Sequence, residues 1–361
     1  MNLEVSEVVL QSQTLPSLYS LAKCYKDPDS TPDQSSQRSI TLIFAHALGY
    51  SVSRVASRSF SPDVRPDKEH WEPTLCDLLK IARDQKDSYL VIKEAWCVDC
   101  QDHGSSAVAN IEHLRKSKHF VSCYDYAEVI YSLLSRVCID ADSYLVLVGH
   151  SAGAAASILS TTFSPSSKLP IHALILVEPA MISPSLSDFA EQFAEKMAKL
   201  SLSQRDTWRS IEEARYWMLR RPPTMSWDPR VLERHLCFGL HEVTVDNQTG
   251  PSVTVQALAC TKEAQATAYH ERHIQFEALE QLDKIATTLP VHMLFGERND
   301  YIPRFVQDAM CEPKRKIASV TRIPQVGHLA VQEKPYQLAQ TLFKLLQSSL
   351  DVDSYQKSVK L

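Results

Sequence analysis

The chain has 361 residues, 44% of them hydrophobic, and a net charge of −5, enough for one large α/β domain or two ordinary ones with ample core. Its charges are interspersed, with no basic stripe and no aromatic-basic interleaving, which argues against a nucleic-acid partner. No run approaches the roughly 18 unbroken apolar residues of a membrane span, and the opening MNLEVSEVVLQSQ lacks the pattern of a signal peptide.

In chain order, residues 3–10 and 17–25 read as two antiparallel opening strands, and a polar loop, DPDSTPDQSSQR, leads to the strand SITLIFAH. Apolar strands then alternate with helical segments. WEPTLCDLLKIARD has helical periodicity, YLVIKEAWC reads as a strand, YDYAEVIYSLLSRV as a helix, SYLVLVG as a strand, AAASILSTTF as a helix and HALILVEP as a strand. Such continuous apolar runs, joined by crossover helices, mark buried parallel strands. Strand signals stop after HALILVEP and resume at LPVHMLFGE and IASVTRIPQVGH, before a closing helix, PYQLAQTLFKLLQSSL. The gap carries helical and Trp/Arg/Pro segments. It reads as one helical cap, 180–288, inserted after the sixth strand of a core made of 1–179 and 289–361.

The strand SYLVLVG runs into GHSAG, residues 149–153. In a G-x-S-x-G turn a strand ends abruptly, the serine takes a strained backbone conformation, and a helix starts directly behind it, leaving the hydroxyl at the sheet edge. Glycine usage adds weight: there are 8 in the chain, against about 25 at average usage. Six of them fall at the ends of predicted strands beside His, Ser, Asp or Glu.

In open α/β sheets function gathers at the carboxyl ends of the strands. FAHALG brings His46, Gly49 and the N–H of Leu48 to one such end, and the N–H of Ala152 follows Ser151 at the helix start, so the two amides form a candidate oxyanion hole. GERNDYIP supplies Asp300, PQVGHLAV supplies His328, and LILVEP supplies a second carboxylate, Glu178. A serine hydroxyl needs a base to take its proton, imidazole is that base near neutral pH, and a carboxylate must fix the imidazole's tautomer. Ser151, Asp300, His328 is the expected chain order. Asn299 stands where G-x-x-D would put the acid, so Asp300 is the first candidate and Glu178 the alternative, unless Glu178 only anchors the cap. Trp208, Trp217, Trp227 and Phe238, with His46, are candidate pocket walls; the aromatics otherwise pack the cap to the body.

Other polar clusters point less clearly. His150 reads as a filler beside the serine, and the HERH run at 270–273 has the wrong spacing for a zinc-protease helix and suits a solvated face. RRPP at 220–223 fits either an anion contact or a helix stopped by proline. Nine cysteines, an odd number spread through strands and helices, suit a reducing intracellular compartment, and the CVDC of Cys97 to Cys100 reads as structural thiols. No metal and no cofactor are expected.

HALG with HWEPTL beyond it, DCQDHGSSAVAN, GHSAG, VEP, WDPRVL with FGL, LACTKEAQATAY and the late GH span nearly the whole chain. Through them the sequence resembles the fungal α/β-hydrolases that include host-selective toxin biosynthesis hydrolases and the yeast peroxisomal lipase. The resemblance implies an α/β-hydrolase fold and a cofactor-independent serine hydrolase of an acyl or polyketide-like compound. Departures from it are the inserted SVSRVASRSFSPDVR and the offset Asp300. An esterase or thioesterase is the leading expectation. An acyltransferase or cyclase using the same triad, or a non-catalytic ligand-binding homologue, are the alternatives. The tail, Val359-Lys360-Leu361, ends in the Lys-Leu read by the peroxisomal import receptor, with valine for the small residue expected first. The expected location is therefore the peroxisome, or the cytoplasm if the tail is fortuitous.

Overall fold

The computed structural model describes residues 2–30, 38–48, 67–85, 90–116, 120–137, 143–164, 170–245 and 251–350. Gly49, Gly250, the SVSRVASRSFSPDVR stretch and the Val359-Lys360-Leu361 tail lie outside them. The described strands are β1 (Glu4–Gln11), β2 (Tyr19–Lys26), β3 (Arg38–Ala45), β4 (Leu90–Val98), β5 (Ser143–His150), β6 (Ile171–Val177), β7 (Thr207–Trp208), β8 (Leu240–Val245), β9 (Val253–Leu258), β10 (Val291–Gly296) and β11 (Ser319–Ile323).

Eight of them form one sheet in the order β1-β2-β4-β3-β5-β6-β10-β11. β1 and β2 pair antiparallel, as does β2 with β4; every later pairing is parallel. The apolar runs explain why. Along β5, Leu145 and Leu147 face one way, meeting Leu174, Leu176 and Phe295 and the helices Cys123–Leu134, Ala152–Ser160 and Arg272–Ile285. Val146 and Val148 face the other way, meeting Ile175, Val177 and Leu294 and the helices Glu72–Asp84 and Pro335–Leu350. Both faces of the central strands are thus covered, and a strand with two buried faces has no polar positions to alternate. Cutting a side chain such as Leu147 back to alanine would cost about 2–5 kcal/mol.

Parallel pairing puts the ends of β3, β5, β6, β10 and β11 at one edge, where the loops bearing His46, Ser151, Glu178, Asp300 and His328 begin. Between β6 and β10 the chain makes the helices Ser187–Ser203, Ile211–Met218, Pro229–Phe238, Lys262–Ala268 and Arg272–Ile285. An all-helical insertion is not what forms. β8 and β9 pair antiparallel from Leu240↔Leu258 to Val245↔Val253, and β7 adds to the free edge of β9. HEVTV and VTVQAL are β-branched, and their outer residues are exposed. They therefore lack the continuous apolar run of the main-sheet strands. The helix Arg272–Ile285 also departs from the expectation, because Ile274, Ala278, Leu279 and Leu282 join the main core.

Candidate active site

Ser151 follows β5 directly and has φ 56° and ψ −117°, a conformation that costs a residue with a side chain about 1–3 kcal/mol. The turn is held by its surroundings. Ser151 N donates to Val177 O at 2.9 Å, while Ser151 O accepts from Ala154 N at 3.0 Å and Ala180 N at 3.1 Å. The flanking glycines are required sterically: a Cβ on Gly149 would lie 2.5 Å from Ala154 Cα, and one on Gly153 2.3 Å from His46 O.

His328 Nε2 lies 3.2 Å from Ser151 Oγ, and its Nδ1 lies 3.0 Å from Glu178 Oε2. Glu178, at φ 47° just beyond β6, also accepts from Gly296 N through Oε1 at 2.5 Å. All three side chains are buried. The carboxylate at the imidazole is therefore Glu178, and the expected placement of Asp300 there is corrected. Asp300 Oδ1 accepts from the backbone N of His328 at 3.0 Å, and its Oδ2 pairs with Arg298 Nε at 2.8 Å. Both carboxylate oxygens of Asp300 are thus engaged, neither of them by the imidazole. A Cβ on Gly327 would fall 1.9 Å from Asp300 Oδ2, so Asp300 occupies the room this glycine leaves.

Burial dominates the electrostatics. It pushes the Glu178 carboxyl up to about 8, opposed by the Gly296 N–H and reinforced by the Asp300 charge. It also holds the His328 imidazole down at about 3, against the raising effect of Asp300. Both shifts favour the uncharged forms. His150 is the filler expected: Nε2 donates to His328 O at 2.8 Å, and burial keeps the ring neutral by lowering it to about 3. His46 stands behind the loop that carries Leu48. Its Nε2 accepts from Cys100 N at 3.0 Å, which leaves Nδ1–H to donate to Ala47 O at 2.6 Å.

A cavity of about 80 Å³ opens beside the imidazole, with Leu48, Ala152, Met181, Phe189, Phe193 and His328 in its wall. Leu48 and Ala152, the two residues expected to supply oxyanion donors, both line this cavity, and the first-turn amide of Ala152 has no acceptor within its own helix. Tyr301 lines the same cavity and stacks on His328 at 4.5 Å and 19°, its hydroxyl 3.0 Å from that of Tyr269. Sequence reasoning missed these rings. The i, i+4 spacing of Phe189 and Phe193 is the signal that could have found two of them.

His46, Trp217, Trp227 and Phe238 do not line this cavity, a second correction. Trp217 meets Trp208 edge to face at 5.8 Å, Trp227 meets His70 at 5.0 Å, and the Phe238 ring lies under Lys23 Nζ at 4.2 Å. These rings pack the insertion within itself and against the body. Arg220 and Arg221 lie over Tyr216 and Trp217, away from the imidazole. His270 and His273 are exposed, and Cys97 and Cys100 belong to different core clusters. Among the described residues two buried groups have donor sets suited to a metal, neither singled out from sequence: Asp67 with His70 and His235, and Cys100 with Asp102 and His103.

A family model for the alpha/beta hydrolase family matches residues 42–341. The chain belongs to that family. Its fold, a mostly parallel sheet flanked by helices, is the α/β-hydrolase fold, and the strained serine after β5 stands at the elbow expected of it. The hydrolase is similar in structure to the peroxisomal alpha-beta-hydrolase Lpx1 of Saccharomyces cerevisiae, at 16% identity and a TM-score of 0.68, over 96% of this chain and 88% of that one. It is also similar to an esterase of Mycobacterium tuberculosis, at 16% identity and TM-score 0.58, over 95% and 92% of the two chains. A thioesterase domain from the curacin biosynthetic pathway aligns at 14% identity and TM-score 0.56, over 94% and 99%. No curated protein sequence matches the hydrolase significantly. Among the described residues no helix is long and apolar enough to cross a membrane.

Proposed function

We propose that this hydrolase cleaves an ester or thioester of an apolar acyl or polyketide-like substrate through an acyl-enzyme on Ser151. The observation that carries the reading is the hydrogen-bonded line Ser151, His328, Glu178 ending at an apolar cavity. Ser151 Oγ attacks the carbonyl carbon and His328 Nε2 takes its proton. The N–H groups of Leu48 and Ala152 donate to the oxyanion, and Glu178, ionised, balances the imidazolium. His328 then protonates the departing alcohol or thiol as its bond to the acyl carbon breaks. Water repeats the sequence on the acyl-enzyme: His328 takes a proton from it and returns one to Ser151 as the acid leaves.

Phe189 and Phe193 come from the insertion and roof the cavity with Met181, which supports reading 180–288 as a cap and the acyl group as apolar. The esterase and thioesterase neighbours support the bond class. Replacing Ser151 by alanine is expected to abolish labelling by a fluorophosphonate, read by mass spectrometry of the intact protein. Undiminished labelling at another residue would transfer the role elsewhere.

The peroxisomal reading of the tail is part of the proposal, supported by its Lys-Leu ending and by the peroxisomal neighbour. A fluorescent N-terminal fusion should enter peroxisomes and lose that location when Val359 to Leu361 are deleted. An unchanged distribution would dismiss the address.

A further inference from the structure

Asp67 precedes the short turn Lys68–Trp71 and is 1% exposed, yet neither of its carboxylate oxygens has a hydrogen-bond partner. A buried carboxylate without donors carries its full desolvation cost. The neighbouring lysines do not relieve it. Lys68 Nζ is engaged with Asp99 at 2.7 Å and Glu69 at 2.9 Å, and Lys23 Nζ with Glu69 at 2.7 Å. What faces Asp67 Oδ2 is a pair of imidazole nitrogens, His70 Nε2 at 3.8 Å and His235 Nδ1 at 4.0 Å, themselves 3.3 Å apart. The contacts to Asp67 are too long for hydrogen bonds. The edge between the imidazoles matches the roughly 3.3–3.5 Å donor separations of a tetrahedral ion bound at about 2.0–2.1 Å, and the two edges to Asp67 are about 0.5 Å longer.

We propose that Asp67 Oδ2, His70 Nε2 and His235 Nδ1 form a binding site for a divalent metal ion of the zinc class, which fastens the helix Pro229–Phe238 to the body of the hydrolase. Two imidazoles and one carboxylate suit zinc better than magnesium or calcium, which take oxygen donors. The surroundings fit the ligands closely. A Cβ on Gly239 would lie 2.5 Å from His235 Nδ1, and one on Gly104 2.9 Å from Asp67 Cβ, so both ligands occupy room that glycine leaves.

Gln332 supplies the outer contact. Its Nε2 lies 3.2 Å from His70 Nδ1, and its Oε1 is buried with no hydrogen-bond partner. With the amide turned over, Oε1 accepts from Nδ1–H, and that tautomer leaves the Nε2 lone pair for the metal. The second group, Cys100, Asp102 and His103, shows no such deficit: His103 Nδ1 bonds Asp102 Oδ1 at 2.7 Å, and Cys100 Sγ lies 3.3 Å from the same oxygen. None of the three proposed ligands lines the cavity beside His328, so the role is to hold the insertion in place.

The test uses the untagged full chain, stripped with a chelator, loaded with zinc, desalted and assayed for metal by mass spectrometry. The wild type should keep one zinc per chain. Asp67→Asn and His235→Gln should keep less than a tenth of that, and Gln332→Ala should bind roughly 10–100-fold more weakly. Zinc should raise the melting temperature of the wild type and not of the two ligand variants. A cobalt-loaded wild type, which needs no variant, should show the visible bands of a four-coordinate ion without a thiolate charge-transfer band. Failure of the wild type to retain metal, equal retention by folded ligand variants, or a thiolate band pointing to Cys100 would each overturn the assignment.

Discussion

Glu178 and Asp300 approach His328 from the ends of adjacent strands, β6 and β10, and each bonds it once. Glu178 takes the ring and Asp300 the backbone amide. Their remaining partners explain the division. Asp300 shares its second oxygen with Arg298, whose guanidinium also holds Glu333 at 2.6 and 2.8 Å, so it already has a cationic partner. Glu178 is buried, and among the described residues its one ion-pair partner is His328. A carboxylate in that position gains most when the imidazole becomes charged, which is the demand of the proposed chemistry. Asp300 instead fixes where the imidazole stands.

The largest separation of the two roles is expected from Glu178→Gln, which keeps the shape and removes the charge. An analogous loss costs about 10⁴ in turnover in a serine protease, and single-turnover acylation should fall on that scale. The pH profile carries the same information. Burial raises Glu178 to about 8 and lowers His328 to about 3, so lowering the pH puts a proton on the pair. The competent form has Glu178 ionised and His328 neutral. Acylation should therefore rise through neutrality toward about pH 8 and be lost as pH falls, with an apparent value belonging to the pair. Glu178→Gln should erase that limb. A limb unchanged in the variant would assign the titration to another group.

Much of this site was legible in the sequence because it is written locally. GHSAG encodes its own turn, GH after the last strand marks the imidazole proposed as the base, and apolar runs encode the central strands. The choice of acid is not local. It depends on β6 pairing with β10 so that Val177 lies opposite Leu294, which sets Glu178 beside Gly296 N, and on Asp300 being engaged by Arg298 and the His328 amide. The antiparallel β7-β9-β8 sheet escaped because its half-exposed strands lack a long apolar run. The aromatic walls were misassigned for a similar reason: residue type marked Trp217, Trp227 and Phe238, while position selected Phe189, Phe193 and Tyr301.

Asp300→Asn should cost far less than Glu178→Gln. The new side chain keeps an oxygen for His328 N, and Arg298 keeps Glu333. The lost ion pair is worth at most about 1 kcal/mol, because the Arg298 side chain is 37% exposed. Turnover within about tenfold of wild type is expected, given the roughly tenfold worth of 1.4 kcal/mol. Asp300→Ala would take away the acceptor at the His328 amide and cost about 1–3 kcal/mol, read as a lower melting temperature. A fall for Asp300→Asn equal to that for Glu178→Gln would return Asp300 to the acid's role.

Tyr301 lies next to Asp300, and its substitution asks whether the β10 loop supplies anything to the imidazole beyond placement. Its ring stacks on His328 with centroids 4.5 Å apart, and its hydroxyl meets that of Tyr269 at 3.0 Å. Tyr301→Phe removes the hydroxyl contact and leaves the stacked face. If the loop acts by packing, the labelling rate of Ser151 should stay within about threefold of wild type, because a neutral hydrogen bond is worth about 0.5–1.5 kcal/mol and this one does not touch the ring nitrogens. Tyr301→Ala removes the face as well, and a loss of about tenfold matches the 0.5–1.5 kcal/mol typical of an aromatic pair. The ordering matters more than either size. A drop for Tyr301→Phe as deep as that for Glu178→Gln would show that the hydroxyl belongs to the chemistry, and the division between the β6 and β10 loops would no longer hold.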